Sequence, residues 1–268
     1  MTGRELQDGS TVITCAGDWH ANSAGVHDKL HRLSEVGATQ LMHVRDFRLR
    51  EDRFDRRFVN QINGWAEEFG ILISVALGNH DDWGHVRRAL AAADRAPAMI
   101  RPQIVVLPRG HRWFHRGPSF VAVGGTATID FDHRKLQTPV GLKELPTEKA
   151  VVFQAQGGQA KIMINHDSPG TASINRIRAT ANGWSADALG YANEGARRIT
   201  AAWDAVAPDL FFHGYFPAQD AATLPSGQRL CVSRRVSLAA EDNPGNAIFL
   251  GLETMTTLWL EDFDDYAI

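Results

Sequence analysis

The sequence predicts an α/β fold of two mixed sheets packed face to face and flanked by helices. Through the first hundred residues, short apolar runs alternate with helical stripes, the pattern of parallel strands joined by helical crossovers. Further on, short strand-like runs are separated by Gly and Pro, which suits antiparallel pairing. Several of the apolar runs end in polar clusters, and open α/β sheets gather their ligands at the carboxyl ends of strands.

Taken in order, residues 11–16 read as a buried strand, and 24–36 as a helix with its apolar stripe at Val26, Leu30, Leu33 and Val36. A second strand covers 40–44. A helix over 54–69 repeats the spacing through Phe58, Ile62, Trp65 and Phe69. The third strand, 71–77, follows directly, and a helix over 85–95 is stopped by Pro97. Residues 104–107, 111–115 and 119–123 read as an antiparallel meander, and 131–149 as a long polar loop. A strand at 161–164 precedes a Gly/Asn-containing stretch to Leu189 and a helix from about Asn193 to Val206, which Pro208 ends. Strands at 209–213, 229–233, 247–253 and 256–261 complete the chain.

The length of 268 residues and a hydrophobic content of 44% are enough for one domain spanning 1–268. A net charge of −3 leaves no global basic field for nucleic acid, so any such contact needs a local patch. Cys15 and Cys231 lie in separate apolar runs and read as reduced core thiols, not a disulfide framework. The N-terminus lacks an apolar signal region and no apolar run approaches about 18 residues, so the expectation is a cytoplasmic protein with no membrane partner.

The polar clusters are Gly17-Asp18-Trp19-His20, Asp46, Gly78-Asn79-His80-Asp81 and Asn165-His166-Asp167. Asp18 and His20 are two apart, so in an extended segment they point the same way. Asp46 adds a carboxylate able to bridge two ions, Asn79 an amide oxygen and His166 an imidazole. Mixed N/O donors without thiolate suit Mn, Fe or Zn and speak against a structural zinc site. Singly, each cluster reads as a turn or helix cap; their common position after apolar runs points to one shared site.

The series resembles the calcineurin-like metallophosphoesterase superfamily, whose pattern runs Asp-x-His, Gly-Asp, Gly-Asn-His-Asp/Glu, His and Gly-His-x-His. The match spans residues 13–217, and Gly124-Gly125-Thr126 and the run from Ala207 to Gly214 resemble compact bacterial and phage members. The resemblance implies a two-sheet sandwich with a dinuclear centre of divalent or mixed-valence ions (Mn, Fe, Zn or Ni). Asp18, His20 and Asp46 would hold one ion; Asp46, Asn79 and His166 would hold the other. His80 would face the phosphate as general acid or charge stabiliser, with Asp81 as its orienting partner.

The chain departs from that pattern at Arg45, in place of the Gly before the bridging Asp, and at Tyr215 and Pro217, in place of the last two histidines. Tyr215 could ligate as a phenolate, His213 could substitute, or Tyr215 and Pro217 could simply fill the space. Arg45 could bind phosphate as a bidentate cation. The Arg-rich segment 45–57 reads either as a self-paired solvated run or as a foothold for a nucleotide or nucleic-acid phosphate. The expected function is a metal-dependent phosphoesterase acting on a phosphomonoester or phosphodiester by in-line attack of a metal-bound hydroxide. The alternative is a family member that binds a phosphorylated ligand or a protein partner without turnover.

Overall fold

The computed structural model describes residues 12–17, 19, 23–44, 46–125, 127–129, 145–169, 183–214, 221–223, 229–232, 246–260 and 262. The first half runs β1 (Val12–Ala16), α1 (Ala24–Glu35), β2 (Gln40–His43), α2 (Arg53–Glu68), β3 (Leu72–Val75), α3 (Trp83–Ala92), β4 (Ala98–Arg101), β5 (Ile104–Val106), β6 (His111–Phe114) and β7 (Ser119–Ala122). The second runs α4 (Glu148–Ala155), β8 (Ile162–Ile164), α5 (Ala186–Val206), β9 (Leu210–His213), β10 (Ala221–Thr223), β11 (Arg229–Val232), β12 (Ala247–Gly251) and β13 (Thr256–Trp259).

The strands form two mixed sheets. The first has seven strands in the order β13-β12-β1-β2-β3-β5-β4, and the second six in the order β10-β11-β9-β8-β7-β6. β1, β2, β3 and β5 are parallel neighbours, as are β7, β8 and β9. The alternation of side chains along each strand sorts them into layers. Ile13, Cys15, Met42 and Val44 meet Phe120, Ala122, Ile162, Ile164, Leu210 and Phe212 between the sheets. The opposite face of the first sheet packs Leu41, Ile73 and Val75 against Val26, Leu30 and Leu33 of α1 and Phe58 and Ile62 of α2. Met163 and Phe211, on the other face of the second sheet, pack with Ile199, Ala202 and Val206 of α5. Helix, sheet, sheet and helix are thus stacked as the sequence predicts.

Local chemistry fixes the helix starts. Asp52 accepts the Asp55 N–H at 2.9 Å, Asp82 accepts those of Gly84 and His85 at 2.8 and 3.0 Å, and Ser185 accepts that of Ala188 at 3.1 Å. The Ser185 cap starts α5 seven residues before the expected Asn193, and the helix runs on through Gly190 and Asn193, both on its exposed face. The expected meander is corrected too. β6 and β7 do pair antiparallel, but β5 pairs parallel with β3 in the first sheet and antiparallel with β4, a strand the sequence reading passed over. The end of the expected 131–149 loop is the start of α4. No described helix is long and apolar enough to cross a membrane.

Candidate metal centre at the strand ends

Parallel pairing brings the ends of β2 and β3 side by side, and β8 delivers the segment 165–167 to the same rim from the second sheet. Asp46 follows β2 in a left-handed conformation, with φ 26°. A non-glycine residue held there carries strain of about 1–3 kcal/mol, which the surrounding structure must offset. Its carboxylate is buried, and Oδ1 accepts the His80 N–H at 3.0 Å. Oδ2 lies 3.7 Å from His80 Nε2, and Oδ1 lies 3.6 Å from His166 Nε2. The His166 Nε2–H donates to Asn79 Oδ1 at 2.8 Å, while the Asn79 amide donates to Thr128 Oγ1 at 2.9 Å, which fixes which end of the amide faces His166.

This close approach depends on Gly78. A Cβ there would collide with Asp46 Oδ1 and stand 2.8 Å from His166 Nδ1 and 2.9 Å from the Asp46 backbone nitrogen. The turn that follows is held from inside. Asp81 Oδ1 accepts the Leu49 N–H and Oδ2 the Gly78 N–H, both at 2.8 Å, so one buried carboxylate ties the loop after β2 to the loop after β3. Burial pushes the Asp81 carboxyl up to about 6, and the nearby Asp46 charge adds to this. The backbone N–H groups of Leu49, Gly78 and Arg48 pull it the other way. Trp83 donates its indole N–H to the Gly78 carbonyl at 2.9 Å, and the Arg109 guanidinium sits 3.8 Å over the Trp83 ring.

The structure therefore brings Asp46, Asn79, His80 and His166 together, with Asp81 behind them. His80, whose side chain is 27% exposed, opens toward solvent, while His166 is fully buried. Among the described residues no group of three or more His, Cys, Asp and Glu is arranged so as to hold a metal ion by itself. The convergent set here is instead a carboxylate, an amide oxygen and an imidazole nitrogen. Donors sharing one ion at about 2.0–2.2 Å stand about 3 Å apart, so separations of 2.8 and 3.6 Å suit a common divalent ion that would take the place of the proton on His166 Nε2. Asp18, His20, Arg45, Tyr215 and Pro217 lie outside the described residues. His213 is buried on the same strand face as Phe211, with ring centroids 5.4 Å apart, on the side covered by α5.

Other candidates fall to packing or pairing. Trp19 is buried edge-on against His43 at 4.5 Å and beside Phe47 at 5.5 Å, so it offers no surface for a base. His27 packs on Trp65 and Phe69, His31 on Phe69, and His111 on Trp113. In the Arg-rich segment, Arg48 reaches the buried Asp55 at 3.3 Å and Arg50 lies 3.5 Å from both Asp52 and Asp55. This is the self-paired arrangement, although Arg53, Arg56 and Arg57 remain exposed. Thr128 was missed in the sequence; the only signal for it was its place just after Gly124-Gly125 and β7.

No family model matches the sequence, and no curated protein matches it either. Solved structures do. A dimetal phosphatase from Danio rerio superposes with a TM-score of 0.55 at 11% identity, covering 90% of this chain and 92% of its own. A protein of Thermus thermophilus superposes with a TM-score of 0.59 at 13% identity, covering 92% and 97%. The chain has the metallophosphoesterase fold. On this metallophosphoesterase scaffold the similarity extends over nearly the whole of both chains, although few residues are shared.

Proposed function

We propose that this single domain is a metal-dependent phosphoesterase that hydrolyses a phosphomonoester or phosphodiester. The observation that carries the reading is the convergence of Asp46, Asn79, His80 and His166 at adjoining strand ends of this fold. Asp46, Asn79 and His166 would hold one divalent ion. Asp18 and His20, which follow β1 in the sequence, would hold a second with Asp46 between them, and Tyr215 is a further candidate ligand. When bound, the ions supply a nucleophile at neutral pH and neutralise developing phosphoryl charge.

The chain's own residues do the rest. The Thr128 hydroxyl accepts from the Asn79 amide and so keeps its oxygen toward the metal. His80 offers a ring N–H to a phosphoryl oxygen at the open side of the site, with its backbone fixed on Asp46. Asp81 acts as a positioning residue, because its carboxylate is engaged with the backbone of both loops. Arg45, next to Asp46 in sequence, is proposed as a phosphate-binding cation.

The test is hydrolysis of p-nitrophenyl phosphate and bis(p-nitrophenyl) phosphate by protein loaded with Mn, Fe, Zn or Ni. Turnover by the wild type that Asp46→Asn lowers by about 10²–10³-fold supports the reading. No turnover with any of these metals overturns it.

A further inference from the structure

Beside the rim lies a cleft that the phosphoesterase reading does not use. It has a volume of about 230 Å³ and is lined by Leu49, Arg50, Glu51, Arg56, Val59, His85, Ile100 and Arg101. Three arginines and a histidine thus line it together with the apolar Leu49, Val59 and Ile100, against a single acidic residue. That carboxylate is already engaged: Glu51 Oε1 lies 2.8 Å from His85 Nδ1 and accepts from Arg88 at 3.2 Å. Arg50 is shared with Asp52 and Asp55, and Arg101 is held by Asn60 Oδ1 at 2.7 Å. The Arg56 guanidinium has no partner among the described residues, so the cleft keeps an uncompensated cation.

The cleft is joined to the rim through the chain itself. Leu49, in its wall, donates its N–H to Asp81 and accepts that of Asp82 at 3.0 Å, and it lies three residues after Asp46. At about 230 Å³ the volume falls below the roughly 300–1,000 Å³ of sites that enclose a whole small ligand, so it suits one group of a larger molecule. Planar guanidiniums recognise phosphate through paired N–H donors.

We propose that this cleft is a second phosphate subsite, holding a phosphoryl group of the substrate other than the one hydrolysed. The substrate class is then a molecule with at least two phosphates, such as a nucleoside bisphosphate or a short oligonucleotide. The subsite itself stands on the cleft; its role in substrate choice rests on the phosphoesterase reading.

Two measurements separate these. In the first, metal-stripped wild type and the double variant Arg56→Ala/Arg101→Ala are titrated with inorganic phosphate by calorimetry, with circular dichroism as the folding check. At least tenfold weaker binding in the variant is expected, with Arg56→Lys/Arg101→Lys recovering part of it. Equal affinity in wild type and double variant overturns the subsite. In the second, metal-loaded protein is assayed on a nucleoside monophosphate, the matching 3′,5′-bisphosphate and a 5′-phosphorylated dinucleotide. The double variant should lose at least tenfold more kcat/KM on one of the two-phosphate substrates than on the monophosphate. Selective loss on the bisphosphate identifies a mononucleotide substrate, and selective loss on the dinucleotide an oligonucleotide. Equal loss on all three overturns the role in substrate choice. Phosphate binding without any turnover leaves the subsite standing and removes the hydrolase.

Discussion

The two sheets bring their donors to the rim by different means. On the first sheet, Asp46 and the turn 78–81 sit in loops. One of these loops has a left-handed Asp, the other a glycine without room for a Cβ, and the carboxylate of Asp81 links them. On the second sheet, His166 continues the ladder: the Asn165 N–H donates to the Phe212 carbonyl and the Gly214 N–H to that of His166, both at 3.0 Å. One side is held by loop chemistry under strain, the other by the regular sheet. Substitutions on the first side should therefore disturb stability and chemistry together, whereas the second side couples the two less tightly.

The largest expected effect breaks that contrast at its centre. Asp46→Asn removes the charge shared by both histidines and should lower phosphoesterase kcat by about 10²–10³-fold, measured with p-nitrophenyl phosphate. Asp81→Ala should be next. It leaves the Leu49 and Gly78 N–H groups without their acceptor, which at about 1–3 kcal/mol for each unsatisfied buried group predicts a loss of about 2–6 kcal/mol in urea unfolding. Gly78→Ala forces Asp46 and His166 apart and should cost about 1–3 kcal/mol, together with a fall in metal affinity seen by calorimetry.

Thr128→Val removes the hydroxyl that accepts from the Asn79 amide and should weaken metal binding about tenfold with little change in Tm. Glu194→Gln, away from the rim on α5, sets the baseline. Its carboxyl accepts from Arg197 and Arg198, which hold it down at about 2. A folded value below the ordinary 4.5 gives stabilisation that is present above that pH and lost as pH falls toward 2. The pair is partly exposed, so the variant should lose only about 0.2–0.5 kcal/mol at pH 7, and Tm curves for the two proteins should meet near pH 2.

The strands that carry the rim were legible because each is a short apolar run ending in a polar residue. Their alternation also announced which faces meet, as with Ile162 and Ile164 against Met163. β4 was not legible: Ala98-Met99-Ile100-Arg101 is a short edge strand next to Pro97, and nothing in those four residues outweighs the proline as a helix stop. β5 was read correctly as a strand and given the wrong neighbours, since pairing across sheets leaves no local mark. In the rim, side chains that form motifs could be read, but the residues that support them could not. Thr128 is 49 positions from the amide it holds, and the Leu49 backbone that Asp81 engages has no side-chain signature at all.

The bond from the His80 amide to Asp46 also makes the rim observable without any substrate. That amide can exchange with solvent only when the loop after β2 releases it, and that loop is the strained one. Its hydrogen-exchange rate should therefore report local opening of the rim, while amides of β2 and β3 report global unfolding. If metal binds as the donors suggest, it should slow exchange at His80 far more than in the strands, giving a residue-level measure of how far the site is assembled before anything is bound.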